Sequence, residues 1–128
     1  MTDPDFLTTR DLLDIAAGVL PAVRVRDAGL LESAAARRRI TVFGDPAYPD
    51  LFSQAGALLH SLVRNHPLVD GNKRLAWSAA RVFLLMNDVD LEYDVDDAEQ
   101  MVLRAARGED DVAVIASWLS ARAQLRPR

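Results

Sequence analysis

The stretch His66-Pro67-Leu68-Val69-Asp70-Gly71-Asn72-Lys73-Arg74 brings an imidazole, a carboxylate, a carboxamide and two cations together within nine residues. Lys73 and Arg74 follow an Asp-Gly pair at a point where a helix should begin. The free backbone N–H groups at a helix N-terminus make that end positive, so a cation in the first turn is disfavoured by about 0.3–1 kcal/mol. An anion in the same place reverses the sign. Backbone N–H groups from Gly71 onward, the Asn72 amide, the Lys73 ammonium and the Arg74 guanidinium would then converge on phosphate oxygens. The alternative is that both cationic side chains point into solvent or pair with acidic neighbours.

Each remaining residue has a structural explanation when taken singly. Asp70 can cap the following helix, Gly71 can supply an unusual backbone angle, Asn72 can satisfy a turn, and His66 can be a loop histidine without a duty. Together with the two cations they form a more demanding set. Phosphoryl or nucleotidyl transfer needs a metal ion on bridging oxygens and a group that takes the proton of the incoming hydroxyl. The Asp70 carboxylate suits Mg²⁺, which takes one or two protein carboxylates plus phosphate oxygens and waters. His66 lies four residues upstream across a turn, and an imidazole, which ordinarily titrates near about 6.5, can act as the base.

Such groups need rigid elements to hold them. Asp50 opens a helix in which Leu51, Phe52, Ala55, Leu58, Leu59, Leu62 and Val63 leave little polar surface, ending by Asn65 or His66 because Pro67 follows. Leu75 to Met86 is apolar nearly all round and reads as a second buried helix, so the nine-residue stretch should join two central helices. Upstream, Thr8 with Asp11 caps a helix that stops at Pro21. Asp27 caps another that runs to Arg37, Arg38 and Arg39, which read as a solvated basic end. Gly44, Asp45, Pro46 and Pro49 mark the segment from Ile40 to Pro49 as a loop. Downstream, Val89 to Val95 reads as a short extended piece, Asp96 with Glu99 as the start of a helix ending at Gly108, and Asp111 as the start of a last helix. The expected fold is all-α, a bundle of about six helices in a single domain spanning residues 1–128. His60 reads as a core or edge histidine, and Trp77 and Trp118 as packing groups.

Composition narrows the function classes. With Lys plus Arg at 15 against Asp plus Glu at 19 and a net charge of -4, a general basic field for nucleic acid is not expected. Cysteine is absent from the sequence, which excludes disulfides and thiolate metal sites. The N-terminal stretch MTDPDFLTTRD lacks signal-peptide order, and no apolar run is long enough for a membrane span, so a cytoplasmic protein is expected.

HPLVDGNKR resembles the signature of the Fic/Doc family, in which histidine and phenylalanine are followed by an acidic residue, Gly, Asn, Gly or Lys, and Arg; Lys73 is similar to the Doc branch. VRDAGLLESA from Val25 to Ala34, YPDLF from Tyr48 to Phe52 and FLLMN from Phe83 to Asn87 are similar to that branch too. The resemblance implies an α-helical Fic fold with ATP and Mg²⁺ as the donor system and a protein hydroxyl as acceptor. It implies His66 as general base, Asp70 on Mg²⁺, and Gly71, Asn72 and Arg74 on the nucleotide phosphates. Lys73 in the eighth slot implies a nucleotide held so that the terminal phosphate moves to a threonine of elongation factor Tu, stopping translation. A small antitoxin whose C-terminal segment binds along the toxin is the implied partner. Fic-type proteins also keep a target-docking flap ahead of the third helix, where Phe43 and Tyr48 lie in this chain.

Leu68 stands where the family has phenylalanine, and Leu75 where Doc-like members often have threonine. Leu68 should still pack inward, since one apolar group replaces another. Two other functions fit the same residues: transfer of AMP with the nucleotide reversed, and a non-catalytic module that binds a nucleotide or an anionic peptide.

Overall fold

Side-chain caps begin five of the six α-helices found among residues 4–125, which the computed structural model describes. Thr8 and Asp11 form a reciprocal capping box on α1 (Thr9–Val19), and Asp27 caps α2 (Ala28–Ala36). Asp50 and Ser53 form a second box on α3 (Leu51–Asn65). Helix α4 (Asn72–Met86) starts from Gly71 with no side-chain cap. Asp94 caps α5 (Val95–Ala106) and Asp111 caps α6 (Val112–Ser120). The cap of α5 therefore lies two residues before the expected Asp96. Asp94, Asp96 and Asp97 lie within four residues, and the Asp94 carboxylate accepts the Asp97 N–H.

The all-α expectation holds, and the two central helices are α3 and α4. Ala55, Leu59, Leu62 and Val63 of α3 and Leu75, Ala76, Ala79, Ala80 and Leu84 of α4 are fully buried. A buried leucine is worth about 1.5–3 kcal/mol relative to exposure, so this pair is the firmest support available to the loop between them. On its other side α3 approaches α6 closely at Gly56, where a Cβ would stand 3.1 Å from the Val112 carbonyl oxygen. Trp77 packs edge-on to Trp118 at 6.0 Å and to Tyr93 at 5.0 Å, a packing role for both tryptophans.

Short strands supplement the helices. β1 (Thr41–Val42) and β2 (Asp45–Pro46) make a hairpin out of the segment expected as loop, with Phe43 and Gly44 in its turn at φ 52° and 85°. β3 (Val89–Leu91) takes up the first part of the extended piece expected over Val89 to Val95, whose last residue instead begins α5, and it pairs antiparallel with β4 (Ala123–Leu125) near the end of the described chain. The first three residues of the acidic N-terminal stretch lie outside the described residues. Among the described residues, no helix is long and apolar enough to cross a membrane.

The basic cluster differs from the expected solvated helix end. Arg37–Arg39 form a 3₁₀ turn, and Arg37 folds back onto α3. Its Nε donates to the Tyr48 hydroxyl at 2.9 Å, and its Nη1 lies 2.9 Å from His60 Nδ1 and 3.0 Å from Ser61 Oγ. Arg38 stacks 3.4 Å from the Phe6 ring centroid. The planar, weakly hydrated guanidinium suits such half-buried hydrogen-bonding and stacking sites.

Candidate active site at the start of α4

Helix α3 ends at His66, which adopts a left-handed conformation (φ 53°, ψ 62°). That geometry is uncommon for a residue with a Cβ, and the residue before a proline is normally driven to extended backbone instead. The surroundings hold it. Arg26 donates from Nε to the His66 carbonyl and from Nη2 to the Asn65 carbonyl, both at 2.7 Å. The Arg26 and Asp27 N–H groups donate to the Pro67 carbonyl at 2.8 and 3.0 Å, and Val69 N–H donates to the Arg24 carbonyl at 2.9 Å. Val25 and Leu68 form an isolated antiparallel bridge between the two segments. The segment before α2 is thus a strap across the loop.

Inside the loop, Leu68 is 1% exposed, the inward anchor expected of it. Asn72 is 8% exposed, and its carboxamide bonds both backbone groups of Leu68: Oδ1 accepts from the N–H and Nδ2 donates to the carbonyl, each at 2.9 Å. The expected contact of this amide with phosphate is therefore not what its geometry favours, since both ends are engaged in fastening the loop. Its backbone N–H remains among the first-turn donors of α4. Asn72 Nδ2 also lies 3.5 Å from His66 Nδ1, too long to fix the ring's tautomer. His66 itself is exposed.

The start of α4 is uncapped and carries cations in its first turn. Gly71, at φ 87°, has no side chain to offer, so the first-turn N–H groups receive no side-chain acceptor. Asp70, expected as a possible cap, sits one residue too early. Its Oδ1 accepts the Gly71 N–H at 2.9 Å, which leaves Oδ2 open. Lys73 is exposed, and its ammonium has no hydrogen bond or ion pair with the described residues. Arg74 is exposed too, with Nη1 donating to the Val19 carbonyl at the end of α1 at 3.3 Å, so one edge of its fork is tethered and the rest is open. The structure thus brings His66, Asp70, Gly71, Lys73 and Arg74 to one exposed helix junction.

A recess of about 100 Å³ adjoins this junction, lined by Leu20, Pro21, Ala22, Arg24, Val69, Asp70 and Gly71. Sites that enclose a small molecule measure about 300–1,000 Å³, so this recess is too small to enclose one. The donor set fits the way Mg²⁺ is ordinarily held, with one open carboxylate oxygen at Asp70 and the remaining ligands coming from phosphates and water. Among the described residues, no cluster of three or more His, Asp or Glu offers an all-protein cage. Leu75 is wholly buried, so its side chain faces the core and not the junction.

Other singled-out residues lie elsewhere. His60 is half-buried against Arg37, and burial first, then the charges of Arg37 and Arg64, lower its pKa below the ordinary imidazole value, opposed by Asp111. Tyr48 is pinned by Arg37, whereas Phe43 is fully exposed at the hairpin tip. Arg26 stands beside the Asp27 cap, and no local pattern announces its bonds to residues 39 and 40 positions away.

Comparison with known proteins agrees with this geometry. A model of the Fic/DOC family matches residues 6–84, which run from α1 through the junction into α4. The chain is similar to Toxin Doc of Mycolicibacterium smegmatis, with 51% identity over 100 residues that cover 77% of this chain and 77% of the relative. On a match that spans more than half its length and includes the whole helix junction, the chain belongs to the Fic/DOC family.

Proposed function

We propose that this protein is the toxin of a toxin–antitoxin pair and a phosphotransferase that moves the terminal phosphate of ATP to a hydroxyl of a protein. Following the resemblance, the acceptor is a threonine of elongation factor Tu, and the partner is an antitoxin that binds with its C-terminal segment. The similarity to Toxin Doc supports the toxin role. One observation carries the chemistry: α4 alone among the six helices lacks a side-chain cap, and it carries Lys73 and Arg74 in the turn where the dipole opposes cations. Phosphate oxygens at that place satisfy the free N–H groups and both cations together.

In this mechanism the N–H groups of Asn72, Lys73 and Arg74, with the Lys73 ammonium and the open side of Arg74, bind and orient the phosphates. Asp70 Oδ2 would hold Mg²⁺, which when bound neutralises charge on the phosphate oxygens. His66 accepts the proton of the acceptor hydroxyl on its open ring nitrogen. The acceptor oxygen forms a bond to the γ-phosphorus as the bond from that phosphorus to the bridging oxygen breaks, and ADP departs. Positioning and charge neutralisation supply most of the rate for so loose a transition state, and the base adds about 10² to 10⁴.

Incubation with elongation factor Tu and ATP labelled separately at the α and γ phosphates tests the proposal. Transfer of γ label alone, absent in His66→Ala, is the expected result. Transfer of α label would mean that AMP moves instead, and Mg²⁺-ATP binding without transfer to any protein would leave a binding module.

A further inference from the structure

His66 occupies a backbone conformation that its own chemistry does not favour, and the groups that hold it there come from a distant part of the chain. The C-terminal carbonyls of a helix need donors from outside the helix. At the end of α3 the nearby basic residue, Arg64, does not supply them, because its Nη1 donates to the Ala106 carbonyl at the end of α5 at 2.7 Å. Arg26 does so from 39 and 40 residues away, with two charge-assisted bonds of 2.7 Å to the Asn65 and His66 carbonyls. Its own N–H joins that of Asp27 on the Pro67 carbonyl. Three successive carbonyls around the left-handed turn are thus held by one arginine and its neighbour.

From this we infer that Arg26 is a positioning residue for the reaction: its guanidinium fork fixes the left-handed turn that aims the His66 ring out of the helix end toward the phosphate site. The inference rests on the proposed use of His66 as the base. Among the described residues the Arg26 guanidinium hydrogen-bonds to backbone carbonyls of the loop, so its role is to orient the imidazole and not to bind nucleotide. The side chain of Asn72 secures the loop from inside through Leu68, and Arg26 secures it from outside, so the turn is fixed from both faces. A strained backbone held this firmly is common where a reactive group must be pre-aimed.

The test compares the full-length wild type with Arg26→Ala and Arg26→Lys in three measurements: γ-label transfer from Mg²⁺-ATP, Mg²⁺-ATP affinity, and the backbone NMR signals of His66 and Lys73. Misplacing a reacting group by about 1 Å can remove about 10²-fold in rate, so Arg26→Ala should lose transfer on that order while nucleotide affinity is retained. Added guanidinium ion should restore part of the loss. Lys, which cannot form the fork that spans two carbonyls, should fall between. The His66 amide and Cα signals should leave their left-handed positions in Arg26→Ala while those of Lys73 stay. Unchanged transfer in both variants, or unchanged His66 signals, would overturn the inference, as would nucleotide affinity falling in step with transfer. If wild type transfers no label, the phosphotransferase function fails, and the His66 signals still decide whether Arg26 sets the turn.

Discussion

Leu20, which closes α1, lies directly over Gly71, which opens α4: a Cβ built on the glycine would stand 2.6 Å from Leu20 Cδ2. Gly71 is also at φ 87°, where a side chain is strained whatever the space around it. Gly71→Ala should therefore destabilise the fold by about 1–3 kcal/mol and weaken Mg²⁺-ATP binding, because the first turn of α4 must tilt. Adding Leu20→Ala relieves the clash but not the backbone strain, so the double variant should recover only part of the stability in thermal unfolding.

Lys73 offers a sharper separation of stability from function. Its ammonium is exposed, unpaired among the described residues, and located where the helix dipole opposes it. Without nucleotide, Lys73→Ala should leave the fold unchanged or raise its stability by about 0.3–1 kcal/mol. The same change should weaken Mg²⁺-ATP binding. Denaturant midpoints and a nucleotide titration on one pair of samples check both, and a loss of stability with retained affinity would make Lys73 a structural residue.

The expectation that a threonine could stand in place of Leu75 is also open to measurement. Leu75 is wholly buried and its N–H donates to the Gly71 carbonyl at 2.9 Å. Leu75→Thr should lower stability by roughly 1–3 kcal/mol through lost apolar burial and a poorly placed hydroxyl. Transfer activity at a temperature where the variant is folded should be unaffected, since the side chain does not reach the junction.

Stability should depend on pH through His60. Burial and the neighbouring charges of Arg37 and Arg64 lower its pKa in the folded protein, against the pull of Asp111. Between that lowered value and the ordinary one near about 6.5, the unfolded chain holds a proton that the folded chain does not. Folding is therefore unpenalised above about 6.5 and loses stability as pH falls below it, levelling once the folded state also takes the proton. Urea unfolding from about pH 7.5 down to 5 should show this decline, and His60→Gln should flatten it.

Much of this architecture was legible in local chemistry. Thr8 with Asp11, Asp27, Asp50 and Asp111 act as caps because a short polar side chain before an apolar period has one good use. The junction between α3 and α4 was legible because Pro67 and Gly71 end and restart helix within a few residues. Arg37 was misread as solvated, since nothing local indicates that Tyr48, His60 and Ser61 will surround it. Asn72 presented the opposite difficulty: a polar residue in a reactive stretch looks like a ligand, yet burial turns its amide onto Leu68. The pairing of β3 with β4, like the Arg26 clamp, joins segments far apart in the chain and leaves no periodic trace.

The most direct measurement follows the backbone amides of Asn72, Lys73 and Arg74 by NMR while Mg²⁺-ATP is added to the intact protein. If phosphates seat on the uncapped end of α4, these three amides move together and saturably, and Lys73→Ala weakens the response. If they stay in place while amides elsewhere report nucleotide binding, the anion site is not at the start of α4 and the roles given to Lys73, Arg74 and His66 fall with it.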